Sequence, residues 1–191
     1  MSDAEQPYKF DPSNAARLEN PERLKWLPPQ RLASLLDIPR GATVLDFGTG
    51  TGALIIPIAK SHLDSTFYAL DEQPTMLEIL RGKLAADPLS NVVPIDPPQA
   101  RGLVGTIDRV LAVNVLHELT DEELGFLRSL VKPDGFALVV DWNALVERPA
   151  GPPAEKCYTP EAAGERLSLL GFKVQPVGEF TYHHAFVARP V

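Results

Sequence analysis

One cysteine, Cys157, serves the whole chain of 191 residues. A lone thiol excludes an intrachain disulfide and a paired-thiol metal clamp. Positive charge is also in short supply. Lys and Arg number 18 against 25 acidic residues, a net charge of −7. That balance lacks the positive field needed for non-specific binding to nucleic acid or anionic membranes. Long apolar runs are missing too. The longest, such as Ala53 to Ala59, are about seven residues, whereas a membrane span needs roughly 20. The stretch from Met1 to Phe10 carries Asp3, Glu5 and Lys9 and no apolar core, so it is not a secretory signal. The four histidines, His62, His117, His183 and His184, show no metal-ligand spacing of the HExxH kind, and no metal site is expected. These absences point to a cytoplasmic protein with no nucleic-acid partner and no membrane span.

What is present suits one domain. Apolar residues make up 45% of the chain, enough for a core. Proline, at 19 residues, is about twice its usual share and falls mostly between elements. Residues 1–40 read as a helical lead-in, with Asn20-Pro21-Glu22 as a helix start and a second helix from Pro29 to about Leu36. Residues 41–191 then alternate strands and helices. Strands are expected at Thr43 to Phe47, Thr66 to Leu70, Asn91 to Ile95, Ile107 to Val113 and Phe136 to Val140. Helices are expected at Ala53 to His62, Pro74 to Ala86, from Thr120 through Val131, and from Thr159 to Leu170. Pro133-Asp134-Gly135 reads as a turn, and Phe172 to Val177 with Ala185 to Ala188 as a terminal hairpin. Alternation of this kind implies a mainly parallel α/β sheet covered on both faces. Ligands of such sheets sit outside the carboxyl ends of the strands.

The strand ends carry the chemistry. After the first strand comes Gly48-Thr49-Gly50-Thr51-Gly52, three glycines in five residues. Glycines there allow a tight turn and close approach of a ligand. Asp46 precedes them, where a carboxylate would crowd a pyrophosphate but suits an ammonium. The string also fits the dinucleotide pattern GxGxxG/A, so glycines alone do not decide. Asp71 ends the second strand, where an acid accepts from both hydroxyls of a ribose; it equally suits an N-cap. Asp96 follows the third strand and can accept from an adenine amine, although Asp-Pro is also ordinary turn chemistry. The fourth strand ends in Asn114-Val115-Leu116-His117 and its neighbour in Asp141-Trp142-Asn143. His117 is a candidate proton acceptor or a structural residue near a helix cap.

Four segments in order, Val44 to Gly52, Asp71 to Leu77, Ile107 through His117, and Leu130 to Gly135, together resemble class I S-adenosylmethionine-dependent methyltransferases. The nearest likeness is to the small bacterial ubiquinone/menaquinone-biosynthesis type. The resemblance implies a Rossmann-like seven-stranded sheet with an antiparallel last strand and S-adenosylmethionine as cofactor. It implies a cofactor wall of Asp46, Gly48, Thr49, Gly50, Gly52, Asp71, Glu72, Met76, Asp96 and Asn114. The family often has Gly-Asp after the third strand; this chain has Ile95-Asp96-Pro97-Pro98.

The acceptor is less legible. Amide and exocyclic-amine methylases of this kind carry Asn-Pro-Pro-aromatic after the fourth strand, and this chain does not. A small molecule is expected, with His117 as catalytic base. The stretch from Asn143 to Tyr158 reads as a lid or a linker; as a lid it would close over the acceptor with Tyr8, Phe10 and Trp26. Two rival readings are a non-catalytic S-adenosylmethionine-binding module and a nicotinamide-dependent oxidoreductase.

Overall fold

Valine- and leucine-rich runs at the strand positions are buried on both sides, so they need cover on both. The computed structural model describes residues 9–178 and 180–191; Tyr8 lies outside them. A 3-10 turn, Pro12–Glu19, leads into α1 (Pro21–Trp26) and α2 (Pro29–Leu36). There follow β1 (Thr43–Phe47), α3 (Ile55–Lys60), β2 (Thr66–Leu70), α4 (Pro74–Ala86), β3 (Val92–Ile95) and α5 (Pro97–Ala100). The second half holds β4 (Ile107–Val113), α6 (Asp121–Leu130), β5 (Val131–Trp142), α7 (Pro160–Leu169), β6 (Phe172–Pro176) and β7 (His183–Pro190). The strands form one seven-stranded sheet in the order β3-β2-β1-β4-β5-β7-β6. Pairing is parallel from β3 to β5, and β7 runs antiparallel to both neighbours. This is a Rossmann-like sheet, but a dinucleotide-binding sheet ordered 3-2-1-4-5-6 lacks the inserted antiparallel strand.

Side chains on a strand alternate between faces, and the core divides accordingly. Leu45, Val110 and Ala112 pack with Leu124, Leu127 and Leu130 of α6 and Leu167 of α7. Val44, Leu111 and Val113 pack with Leu32 and Leu36 of α2, Ile55 and Ile58 of α3 and Leu80 of α4. The three α6 leucines have no solvent exposure; truncating any to Ala costs about 2–5 kcal/mol. Local signals set the helix starts. The Asn20 side chain accepts from Glu22 N–H at 3.0 Å. Thr120 and Glu123 form a reciprocal capping box, with Glu123 N–H donating to Thr120 Oγ1 at 3.1 Å and Thr120 N–H to Glu123 Oε2 at 2.7 Å.

Some boundaries differ from expectation. Helix α3 is shorter, Ile55–Lys60, because the glycine turn continues through Leu54, which supplies no side-chain cap. Strand β5 starts at Val131, not Phe136. Residues 132–135 bulge opposite the single residue Asp108, since Ile107 pairs with Val131 and Arg109 with Phe136. A Cβ on Gly135 would lie 2.8 Å from Asp108 O, which is why glycine stands there. Strand β7 starts two residues early, at His183. Among the described residues, no helix is long and apolar enough to cross a membrane.

Candidate active site

The carboxyl ends of β1, β2, β4 and β5 open into one cavity of about 740 Å³. The glycine turn after β1 forms one wall. Gly48 and Gly50 have φ of +76° and +56°, in the left-handed region where a side chain is strained. A Cβ on Gly48 would meet Val115 Cγ1 at 2.4 Å, and one on Gly50 would meet Leu18 Cδ1 at 2.8 Å. Both glycines thus give room to neighbouring side chains, and Gly48, Thr49 and Gly50 line the cavity.

Asp71 is buried at the end of β2. Its Oδ2 accepts from Gly50 N–H at 2.7 Å and its Oδ1 from Gln73 N–H at 2.9 Å. One carboxylate thus ties the glycine turn to the start of α4. Burial raises its pKa above the usual aspartate value, against the two backbone donors. Glu72 and Met76 continue the same wall. Asn114, just past β4, holds φ +59°, a conformation that asparagine tolerates better than most residues. Its Oδ1 is buried with no partner. A buried unpaired oxygen on a cavity wall is costly unless a ligand donates to it.

Three expected cofactor contacts stand off the cavity wall. Asp46 points behind the turn, where its Oδ2 accepts from Thr49 Oγ1 at 2.7 Å. It is 3% exposed, and burial pushes its pKa up to about 7. Gly52 serves packing instead: a Cβ there would lie 2.5 Å from Leu80 Cδ1 of α4. Asp96 caps α5, its Oδ1 taken by Gln99 N–H at 3.0 Å, and Pro97 supplies the cavity wall. Gly48, Thr49, Gly50, Asp71, Glu72, Met76, Asn114 and His117 do converge on one cavity.

His117 occupies a short 3-10 turn after β4. Its Nδ1 lies 2.8 Å from Asp141 Oδ1 at the end of β5. Asp141 is itself fixed by backbone N–H groups of His117 at 2.8 Å and Trp142 at 2.7 Å. Burial opposes charge on the imidazole, but the adjoining Asp141 carboxylate outweighs it and holds His117 above the usual histidine range. Burial would raise Asp141 as well; His117 and the two backbone donors hold it below the usual carboxylate range. With Nδ1 committed, Nε2 is the nitrogen left to the cavity. Glu118 Oε1 stands 3.6 Å from it, and burial lifts Glu118 to about 7.

The roof comes from outside the strand ends. Phe10, Leu18, Arg23 and Trp26 contribute from the amino-terminal side, and Pro149 to Pro152 from the loop after β5. Arg148 ties that loop down through the carbonyls of Asn143 at 3.2 Å and Pro152 at 2.6 Å, and its guanidinium lies over Trp142. Sequence reasoning had not linked Asp141 to His117 and had overlooked Glu118. The available signal was position, since β4 and β5 are neighbours, His117 follows β4 and Asp141 lies at the end of β5.

This arrangement defines an α/β ligand-binding site with a buried acid after β2, a glycine turn after β1 and a buried imidazole–carboxylate pair. A family model described as a methyltransferase domain matches residues 45–137. A SAM dependent methyltransferase from Aquifex aeolicus superposes with a TM-score of 0.87 at 30% identity, covering 96% of this chain and 100% of that one. The chain belongs to the class I S-adenosylmethionine-dependent methyltransferases. Among curated proteins it is 34% identical to an arginine N(omega)-methyltransferase from Streptomyces achromogenes, over 53% of this chain and 31% of that protein. It is 31% identical to a ribosomal protein L11 methyltransferase from Vibrio campbellii, over 59% of this chain and 35% of that protein. The matches thus span about a third of each curated relative.

Proposed function

We propose that this protein binds S-adenosylmethionine in the cavity and methylates a small-molecule acceptor whose proton His117 removes. S-adenosylmethionine brings a methyl group already activated on a sulfonium, so the protein's task is to position two reactants and exclude water. The residues present fit that cofactor. The turn at Gly48 and Gly50 lines the cavity, Asp71 suits a ribose diol, and the unpaired Asn114 Oδ1 awaits a donor. The described part of the lead-in, residues 9–40, acts in this reading as a cover for the site, with Trp26 and Arg23 on the cavity wall.

The observation that carries the acceptor chemistry is the His117–Asp141 contact at 2.8 Å. It fixes the ring, stabilises the imidazolium that forms on proton uptake, and turns Nε2 toward the cavity. General-base help of this kind is worth roughly 10²–10⁴-fold. An acceptor with an ionisable O–H or N–H would benefit; a thiolate formed beforehand would not. The roof over the cavity and the net charge of −7 favour a small acceptor over a nucleic acid.

Calorimetric titration with S-adenosylmethionine, S-adenosylhomocysteine and NADH tests the cofactor, with binding expected for the first two alone. A panel of small phenols, enols and amines with labelled S-adenosylmethionine then tests the acceptor. His117→Ala should lower the transfer rate roughly 10²-fold or more and leave S-adenosylhomocysteine affinity nearly unchanged. An undiminished rate per folded molecule refutes the base; a large affinity loss moves His117 to the cofactor side.

A further inference from the structure

The cluster at His117 continues, through Glu118, into the chain segment at residues 9 and 10. This segment has no regular secondary structure and lies over the cavity as a strap. Four polar ties hold it. Phe10 N–H donates to Glu118 Oε2 at 3.2 Å. Phe10 O accepts from Gln73 Nε2 at 2.9 Å. Lys9 Nζ pairs with Glu72 at 3.0 Å and with Glu123 at 2.9 Å. The strap therefore spans the start of α4, the turn after β4 and the start of α6.

Glu118 is shared between this strap and the imidazole. One oxygen holds the strap's N–H while the other stands 3.6 Å from His117 Nε2. That separation is too long for a hydrogen bond but short for Coulomb attraction. We propose that Glu118 is a positioning residue that couples the seating of the residue 9–10 strap to the protonation state of His117. It rests on His117 being the proton acceptor. With the strap seated, the Phe10 N–H keeps the carboxylate off Nε2, which stays open to an acceptor. With the strap lifted, a rotation of the Glu118 side chain brings the carboxylate onto Nε2. The imidazole is then pinned between two carboxylates, charged and unable to take a proton.

The charged and titratable groups around this pair act in defined directions, and His183 of β7, stacked on Trp142, is held uncharged by burial, its pKa pushed down to about 3. Asp141 of β5 favours the imidazolium from the Nδ1 side, and Arg148 of the loop after β5 opposes it. Lys9 favours the ionised form of Glu118, and Asp141 opposes it. His184 of β7 pairs in register with Asp141, and its ring nitrogens have no hydrogen-bond partner; burial holds its pKa below the usual histidine range.

The test needs no acceptor: titrate the histidine ring nitrogens by NMR in the free protein, with His117→Ala to assign the His117 signal. Glu118→Gln should lower the His117 pKa by at least about one pH unit, which is what a unit charge at this distance exerts even at the dielectric of bulk water. Phe10→Pro deletes the N–H and should raise it, whereas Phe10→Ala keeps the N–H and should leave it as in the wild type. In the Glu118→Gln background, Phe10→Pro should cause no further shift. An unmoved pKa in Glu118→Gln overturns the proposal, as does a Phe10→Pro shift that survives without Glu118. If Phe10→Pro does not fold, Gln73→Ala, which removes the tie on Phe10 O, should raise the His117 pKa in its place, and the absence of a rise overturns the proposal. The ring titration does not depend on turnover, so its failure is distinct from failure of His117→Ala to slow methyl transfer.

Discussion

Asp71→Ala is the perturbation that most directly probes the cofactor wall. The wild-type carboxylate accepts two backbone N–H groups, from Gly50 at 2.7 Å and Gln73 at 2.9 Å. Removing it orphans both donors beside a cavity to which water has access, so water rescues part of the loss. The buried carboxylate is also costly in its own right, since burial raises its pKa. The net stability loss should therefore be modest, about 1–3 kcal/mol. Ligand affinity bears a separate loss: the ribose diol loses a charged acceptor, and the glycine turn loses its tether to β2. That amounts to about 1–3 kcal/mol, or roughly 5- to 150-fold in Kd for S-adenosylhomocysteine. Calorimetry should use S-adenosylhomocysteine and an analogue lacking both ribose hydroxyls, with a denaturant titration alongside. The mutant should narrow the affinity gap between the two ligands. An unchanged gap in a folded mutant refutes Asp71 as the ribose acceptor, and an unchanged Kd refutes the whole placement of the cofactor.

Asp46→Asn should alter stability with pH. The folded carboxyl titrates near 7 against 3.8 for a free aspartate, so the native state holds an extra proton between those values. Wild-type stability from this group is present below about pH 4 and falls as pH rises toward 7, by up to roughly 4 kcal/mol. The Asn variant should melt higher than the wild type above pH 7 relative to pH 4, and parallel pH curves would refute the assignment. Gly50→Val places a branched side chain at φ +56° against Leu18 and should abolish S-adenosylhomocysteine binding more completely than it lowers the melting temperature; surviving affinity would put the ligand elsewhere. Cys157→Ser should keep methyl transfer within a few-fold, because burial pushes the thiol up to about 11 and a protonated thiol is a poor nucleophile; complete loss with cofactor binding intact would contradict this.

The order of strands and helices was legible because buried parallel strands need near-continuous apolar runs, and those runs are distinct in this chain. The glycine turn and Asp71 were legible because each sits next to a strand end. Asp46, Gly52 and Asp96 show the limit of that reasoning. Asp46 lies near the end of β1, Gly52 in the turn after it and Asp96 just past β3, yet Asp46 turns back to Thr49, Gly52 accommodates Leu80 and Asp96 caps α5. Which way a residue turns depends on neighbours from other elements, and spacing along the chain does not carry that. The β5 bulge escaped for a similar reason. Pro133-Asp134-Gly135 does bend the chain, but Val131 pairs with Ile107 before the bend, and only the partner strand reveals it. The tie between His117 and Asp141 crosses 24 residues and depends on β4 and β5 lying side by side.

The place of β7 in the sheet bears on how the chain can fold. β7 is the last strand to be synthesised, yet it lies between β5 and β6, pairing Val139 with Phe186 on one side and Val174 with Ala188 on the other. Until it arrives, β6 has no partner strand and β5 exposes a bare edge of unpaired N–H and C=O groups. Strands β1 to β5 are able to assemble during synthesis, but the half of the sheet that bears Asp141 is only braced at the end. A nascent or truncated chain ending before His183 would present that edge to other chains, the arrangement that invites edge-to-edge aggregation. Because β6 pairs with β7 alone, the two can join β5 together as a hairpin, a non-local event, and the register of β7 against β5 sets His184 opposite Asp141, the carboxylate behind His117.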